Sequence, residues 1–154
     1  MSNLFNSRDE ILGVVDFETK ELTVPEHIPG WGGRTLRITQ LSRGDQDDYL
    51  KRQYGTTRMK QEVKRNKNLP QSQEISAFNF YGHDAFLCVR GICDATGTRL
   101  FKDSDEELLK KKNGEAIGWI ASEIIKHSGM ELEAKAARGE ISEEEALEQA
   151  VKNS

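Results

Sequence analysis

Two central stretches of the chain place apolar residues at the spacing of an α-helix. The first stripe consists of Phe78, Tyr81, Ala85, Val89 and Ile92. The second consists of Ile117, Ile120, Ala121, Ile124 and Ile125. Because a helix repeats every 3.6 residues, each set falls on one face. The pattern predicts helices over residues 78–93 and 117–125, with both stripes facing the core.

Nearer the N-terminus, shorter runs alternate polar and apolar residues, which is typical of half-buried strands. Residues 14–17 and 21–24 lie on either side of a polar turn and predict a β-hairpin. A segment rich in proline and glycine follows, after which residues 34–39 alternate again and predict another strand. Residues 1–11 carry no such pattern, so they predict a loose lead-in.

Serine residues mark the starts of further helices. Ser42, with Asp45 three residues later, predicts a helix that ends at Gly55. Ser104 opens a similar capping box before two leucines and predicts a short helix. Between these two helices, residues 56–73 are rich in basic residues and contain a proline, which predicts a flexible loop.

The last segment differs in composition from the rest of the chain. Residues 130–154 are rich in Glu, Ala and Lys and contain no aromatic residue, which predicts a solvated, partly helical acidic tail. The preceding residues 1–129 are predicted to form a single domain. Together the elements predict an α+β fold, with a small N-terminal antiparallel β-sheet or hairpin packed beside a mainly helical domain.

Charge and composition narrow the classes of function. The 154-residue chain has a formal net charge of −4, although five basic residues against one acidic give residues 56–67 a net charge of +4. This basic run contains no aromatic residue for base stacking, so nucleic-acid binding is a less favoured alternative. No stretch approaches the ~18 apolar residues of a membrane span, and no secretory signal is evident. We therefore expect a cytoplasmic protein whose two cysteines stay reduced.

A search for catalytic or metal-binding motifs points away from an enzyme. Asp45, Asp47 and Asp48 are the densest acidic group near a structured element, and their spacing is typical of a solvated helix face. The histidines and cysteines lack the spacing of a zinc site, and neither a nucleophile elbow nor a phosphate-binding loop is present. The sequence therefore predicts a binding protein that needs no metal or other cofactor.

The two central helices also carry large apolar residues behind their main stripes. Phe80 and Leu87 lie at about 200° and 180° from the start of the first stripe, counting about 100° per residue. Trp119 lies about 200° from the start of the second. Two interpretations stay open. Either the acidic tail or the N-terminal sheet covers these residues, or they anchor a partner.

Several short segments, spread over about residues 20–130, resemble the tail assembly chaperones of long-tailed bacteriophages and prophages. The segments are Trp31-Gly32-Gly33, 36–38, Leu41-Ser42, 89–93, 94–97, 99–101, 104–109 and 117–125. The resemblance implies a protein that binds the tape measure protein and keeps it soluble in the cytoplasm of the bacterial host. It also implies that the chaperone is absent from the finished particle.

Phe80, Leu87 and Trp119 are the candidate partner-binding residues under this hypothesis. The resemblance allows a second partner, the tail tube protein, which a longer product of translational frameshifting would recruit. The alternatives are a structural tail or head–tail component retained in the virion and, less favoured, a nucleic-acid-binding regulator. The sequence leaves the oligomeric state open.

Overall fold

The fold combines a small sheet with a helical body, as seen in a computed structural model that describes residues 3–65 and 83–153. The α-helices within these ranges are α1 (Arg8–Leu12), α2 (Arg43–Arg65), α3 (His83–Gly91), α4 (Glu106–Leu109), α5 (Gly114–His127), α6 (Glu131–Ala137) and α7 (Glu143–Lys152). The strands are β1 (Thr19–Thr23), β2 (Thr35–Thr39) and β3 (Ile92–Cys93). This arrangement confirms the predicted α+β class.

The three strands form one antiparallel sheet in the order β1-β2-β3. The strand predicted over residues 34–39 is confirmed as β2, which buries Ile38. The predicted hairpin between 14–17 and 21–24 is wrong, because β1 pairs with β2 instead, from Thr19 opposite Thr39 to Thr23 opposite Thr35.

The loop between β1 and β2 explains that pairing. Hydrogen bonds from the Val24 amide to the Arg34 carbonyl and from the Gly33 amide to the Val24 carbonyl, both 2.9 Å, close its neck. A Cβ on Gly32 would lie 2.2 Å from the Glu26 carbonyl oxygen, so only glycine fits this close approach. The loop thus returns the chain onto β1, which leaves residues 14–17 outside the sheet.

Helix α2 is about twice as long as predicted. It begins after Ser42, whose hydroxyl accepts a hydrogen bond from the Asp45 amide at 3.1 Å, as the capping pattern indicates. It continues through Gly55, so the flexible loop predicted at 56–73 is wrong for residues 56–65, and residues 66–73 lie outside the described ranges. Tertiary contacts override the helix-breaking tendency of glycine here.

Two adjacent threonines provide those contacts. Thr56 is buried, and its hydroxyl lies 2.6 Å from Nε2 of His83 at the start of α3. The Thr57 hydroxyl donates a 2.7 Å hydrogen bond to the Ala137 carbonyl at the end of α6. The two contacts hold α2 against both neighbouring helices.

The core lies where α3 and α5 pack against each other beneath the sheet. Both apolar stripes contribute to it, and the main cluster includes Ala85, Val89, Ile120 and Ile124. The helix predicted over 78–93 ends earlier than expected, because Ile92 and Cys93 leave it to form β3 beside β2. Its predicted N-terminal part, up to residue 82, lies outside the described ranges.

The segment between β3 and α4 contains a turn and corrects one prediction. Gly97 has a φ of 87° in the turn, where Asp94 accepts hydrogen bonds from two following amides. The predicted cap at Ser104 is wrong, because a 3₁₀ turn at Asp103–Asp105 precedes α4. The Asp105 carboxylate accepts the Lys102 amide at 2.8 Å, so it closes this turn in place of a serine hydroxyl.

The C-terminal residues divide into a buried and an exposed part. Met130, Ala134 and Ala137 are buried, and the first two belong to the main core cluster. The expectation of a solvated tail is therefore wrong for residues 130–137, because α6 packs on α2. Helix α7 buries no residue, and Ser142 caps its N-terminus by accepting a 3.0 Å hydrogen bond from the Glu145 amide.

Candidate functional site

The three predicted partner-binding residues have different positions in the structure. Phe80 lies outside the described ranges. Leu87 is fully buried, with 0% exposure, in the main core cluster. The expectation that it lies on an open face is wrong, because α3 packs against α2, α4 and α5 and buries every side chain from Ala85 to Val89.

Trp119 is half-buried beneath the loop between β1 and β2. It packs against a small second cluster formed by Val24, Ile28 and Ala116, to which Trp31 also contributes. His27 on this loop lies 2.5 Å from Glu115 at the start of α5, which fastens the loop over the helix. The N-terminal region therefore covers part of Trp119, and the contact of its remaining surface with a partner stays a prediction.

The structure also reveals an open groove, of about 720 Å³, that the sequence interpretation missed. We call it the tail groove, since α6 and α7 of the C-terminal tail form one of its sides. Helix α2 forms the other side. Its apolar lining consists of Leu50, Tyr54, Leu132, Ala136, Ala146, Leu147 and Ala150. Leu147 is 69% exposed although it belongs to this lining, which shows how open the groove is.

Charged residues surround this apolar lining. Three carboxylates (Glu131, Glu133 and Glu143) and one ammonium group (Lys126) line the groove, which gives these four groups a net charge of −2. Glu133 lies 3.6 Å from the Arg43 guanidinium, a contact exposed enough to be weak. Partial burial and a hydrogen bond to Glu143 raise the pKa of Tyr54, so its phenol stays neutral and donates to that carboxylate.

A signal for the groove was present in the sequence. Ala146 and Ala150 are spaced by four residues, as are Leu147 and Val151, so α7 has an apolar stripe. Because the surrounding segment is rich in Glu and Lys, its composition predicts a solvated helix in place of a binding surface. What the sequence could not show is that α2 and α6 complete the groove.

A second exposed apolar region precedes β1. We call residues 4–17 the N-terminal arm, which includes α1. Its large exposed side chains are Leu4, Phe5, Ile11, Leu12, Val14, Val15 and Phe17. The arm contains Asp9, Glu10 and Asp16 against Arg8, so its net charge is −2. Such a concentration of exposed apolar residues is typical of an interaction segment.

The surroundings of two titratable side chains outside the groove, His83 and Cys88, indicate a structural role. Burial lowers the pKa of His83, and the nearby Arg52 guanidinium lowers it further. Burial raises the pKa of the Cys88 thiol to about 12, so this cysteine stays protonated and unreactive at neutral pH. His83 and Thr56 form a hydrogen-bonded pair. Because Thr56 is only 3% exposed, its hydroxyl is better suited to a packing role than to attack on a substrate.

Within residues 3–65 and 83–153, no group of three or more His, Cys, Asp or Glu residues is arranged to hold a metal ion. Among the helices in the same ranges, none is both long enough and apolar enough to cross a membrane. The tail groove and the N-terminal arm are exposed apolar surfaces, and such surfaces are typical of binding sites for a protein segment.

Comparison with known families gives a match over most of the chain. The family described as phage tail assembly chaperone matches residues 13–146, which is most of the chain. The matched region includes the sheet, the helical core and the beginning of α7, while Leu147 and the first part of the N-terminal arm lie just outside it. No match was found among curated proteins or among solved structures.

Proposed function

The chain belongs to the phage tail assembly chaperone family, and from this we propose that it binds the tape measure protein and keeps it soluble during tail assembly. The observation that carries the proposal is the open tail groove, whose apolar lining ends in the 69% exposed Leu147. A long, largely helical client exposes apolar stripes before the tail tube surrounds it, and an apolar groove can cover such a stripe.

Partner binding by Trp119 is part of this proposal, because the indole is half-buried and still offers surface beside the loop. Phe80 stays a candidate from the sequence pattern alone. In this proposal Leu87 packs beneath the binding surface. Because its side chain is fully buried, it can contact a client only if the elements that cover α3 move away.

The proposal also includes a cellular location and a second protein partner. Tail assembly takes place inside the infected cell, so we place the protein in the cytoplasm of the bacterial host. A longer frameshifted product would recruit the tail tube protein while this part of the chain holds the tape measure protein.

Co-expression tests the function directly. The tape measure protein from the same phage or prophage is produced with and without this chain, and its soluble fraction is measured after centrifugation. We expect the soluble fraction to rise severalfold in the presence of the chain. An unrelated aggregation-prone helical protein serves as the control. Equal solubility with and without the chain would contradict the proposal.

Mass spectrometry of purified particles separates a chaperone from a structural component. A chaperone leaves before the tail is complete, so its peptides should be missing from particles that contain the tape measure and tube proteins. Stoichiometric recovery of this chain from particles would instead support a component that is retained in the virion.

A further inference from the structure

We propose that the tail groove binds a basic amphipathic helix, and that its acidic lining selects such a helix over an acidic one. This inference rests on the proposed function, because it names the chemistry of the client segment that the chaperone would hold. It also makes a separate physical claim, since the preference for basic helices can be measured with peptides alone.

The shape of the groove suits one face of a helix. Helix α7 has ten residues and forms one side, so the groove is about 15 Å long at 1.5 Å per residue. That length matches about three helical turns, or apolar anchors at positions i, i+3 or i+4, and i+7. Ala136, Ala146 and Ala150 in the lining allow a helix to approach closely, while Leu50 and Leu147 provide the larger apolar surface.

The charges decide which helix fits. Glu131, Glu133 and Glu143 line the groove against Lys126. Lys126 lies 3.7 Å from Glu123, and Glu133 lies 3.6 Å from the exposed Arg43 guanidinium. Of the three glutamates in the first turn of α7, Glu143 lies in this lining, whereas Glu144 and Glu145 do not. A helix with Lys or Arg beside its apolar stripe would place those cations near the carboxylates, whereas one with Glu or Asp would be repelled.

The same reasoning excludes the N-terminal arm of a second copy as the preferred occupant. The arm is apolar enough, but Asp9, Glu10 and Asp16 outnumber Arg8, so both surfaces are negative at neutral pH. Self-association through these two surfaces is therefore opposed by charge. A basic segment on a different protein meets no such repulsion.

Binding of two labelled peptides to the full chain tests the preference. Both peptides are 21-residue amphipathic helices with the same leucine stripe, flanked by Lys in one and by Glu in the other. Fluorescence anisotropy at low salt should give a Kd about threefold to tenfold lower for the Lys peptide, a range expected for one or two exposed charge pairs. The difference should shrink with added salt. Equal affinities at low salt would overturn the proposal.

Matched variants locate the binding. Leu147→Ser should weaken binding of the Lys peptide by about tenfold, because it removes a large apolar contact. Leu108→Ser is the control, since Leu108 on α4 is 58% exposed and lies away from the groove lining. Glu133→Gln with Glu143→Gln should reduce the preference for the Lys peptide, whereas Glu144→Gln should leave it unchanged. Equal losses for the two leucine variants would overturn the assignment to the groove.

Two further outcomes separate this inference from the proposed function. If Leu147→Ser still solubilises the tape measure protein as well as the unchanged chain does, the groove is not the client site, although the function stands. If the unchanged chain prefers the Lys peptide but never solubilises the tape measure protein, the proposed function fails and the selectivity of the groove remains. A dimer in sedimentation that Leu147→Ser dissociates would identify a second copy as the occupant and overturn the inference.

Discussion

At the scale of single residues, Gly91 shows how closely the two central helices pack. A Cβ at this position would lie 2.5 Å from Cδ1 and 2.8 Å from Cγ1 of Ile124, which is itself fully buried. Because the isoleucine has no free space to move into, the contact between α3 and α5 requires glycine. The pattern of apolar residues predicts that both helices face the core, but it contains no information on how near they come.

We expect Gly91→Ala to lower the free energy of unfolding by about 1–3 kcal/mol, the usual cost of overpacking a core. Gly55→Ala is the matched control, since a Cβ there meets nothing within 4 Å and α2 gains up to about 1 kcal/mol from replacing a helical glycine. Urea denaturation of both variants measures the two effects. A neutral Gly91→Ala variant would mean that the helices can separate without cost.

His83 gives the fold a predictable response to pH. Burial and then Arg52 lower its pKa in the folded chain below the ordinary value of 6.5, so the unfolded chain binds the proton more readily. Stability should therefore be complete above about pH 6.5 and fall as the pH decreases from there towards the folded pKa.

The His83→Gln variant tests this response. Its thermal midpoint should change less between pH 7.5 and pH 5.5 than that of the unchanged chain, because glutamine has no proton to gain. Glutamine can keep a hydrogen bond to Thr56, and the carboxylates titrate alike in both proteins. The same pH dependence in variant and unchanged chain would rule out His83 as the source.

At the scale of elements, one arginine joins α2, α3 and the 3₁₀ turn before α4. The Arg90 guanidinium pairs with Asp45 on α2 and lies 3.1 Å from Asp103. It also lies 4.8 Å from the ring centroid of buried Phe86, while Arg52 is 4.2 Å from the same centroid. The elements are thus held together by a partly buried charge cluster as well as by apolar packing.

Asp45→Asn should lower the free energy of unfolding by about 2 kcal/mol, since it removes the negative charge from a hydrogen-bonded ion pair that is about four-fifths buried. Asp48→Asn is the control on the same helix, because Asp48 is 58% exposed and 3.8 Å from Arg90. This second change should stay within about 0.5 kcal/mol. Chemical denaturation would contradict the assignment if the two variants lost equal stability.

At the scale of the whole molecule, the body of the domain extends beyond residue 129. Met130 and, on α6, Ala134 belong to the same core cluster as residues of α3 and α5, while α7 lies outside it. The family match likewise continues to residue 146. The body therefore includes α6, and α7 is an exposed addition that completes the tail groove.

Two truncations test this division. A chain ending at Gly139 loses only α7 and the turn before it, so its stability should stay within about 1 kcal/mol of the full chain. A chain ending at Gly129 also loses buried Met130, Ala134 and Ala137 and should be destabilised by at least about 3 kcal/mol. Urea denaturation measures the free energy of unfolding of both truncated chains. If the chain that ends at Gly129 were as stable as the full chain, the domain boundary predicted at residue 129 would be correct.

The sequence by itself determined the features that depend on local pattern. Contacts within a few residues account for several features of the fold. They are the apolar stripe of α5, the alternation of β2, the helix caps at Ser42 and Ser142 and the turn at Gly97. The α+β class follows from these elements, and the short segments that carry the family resemblance lie mostly within them.

Only the tertiary structure decided which faces are covered. Leu87 and Trp119 lie behind their stripes alike, yet α3 is enclosed while α5 is only partly covered by the loop that contains Trp31. The tail groove likewise exists because Leu50 and Tyr54 of α2 lie opposite α6 and α7, which are distant in sequence. Periodicity fixes where a side chain points on its own helix, whereas exposure depends on what the rest of the chain places opposite it.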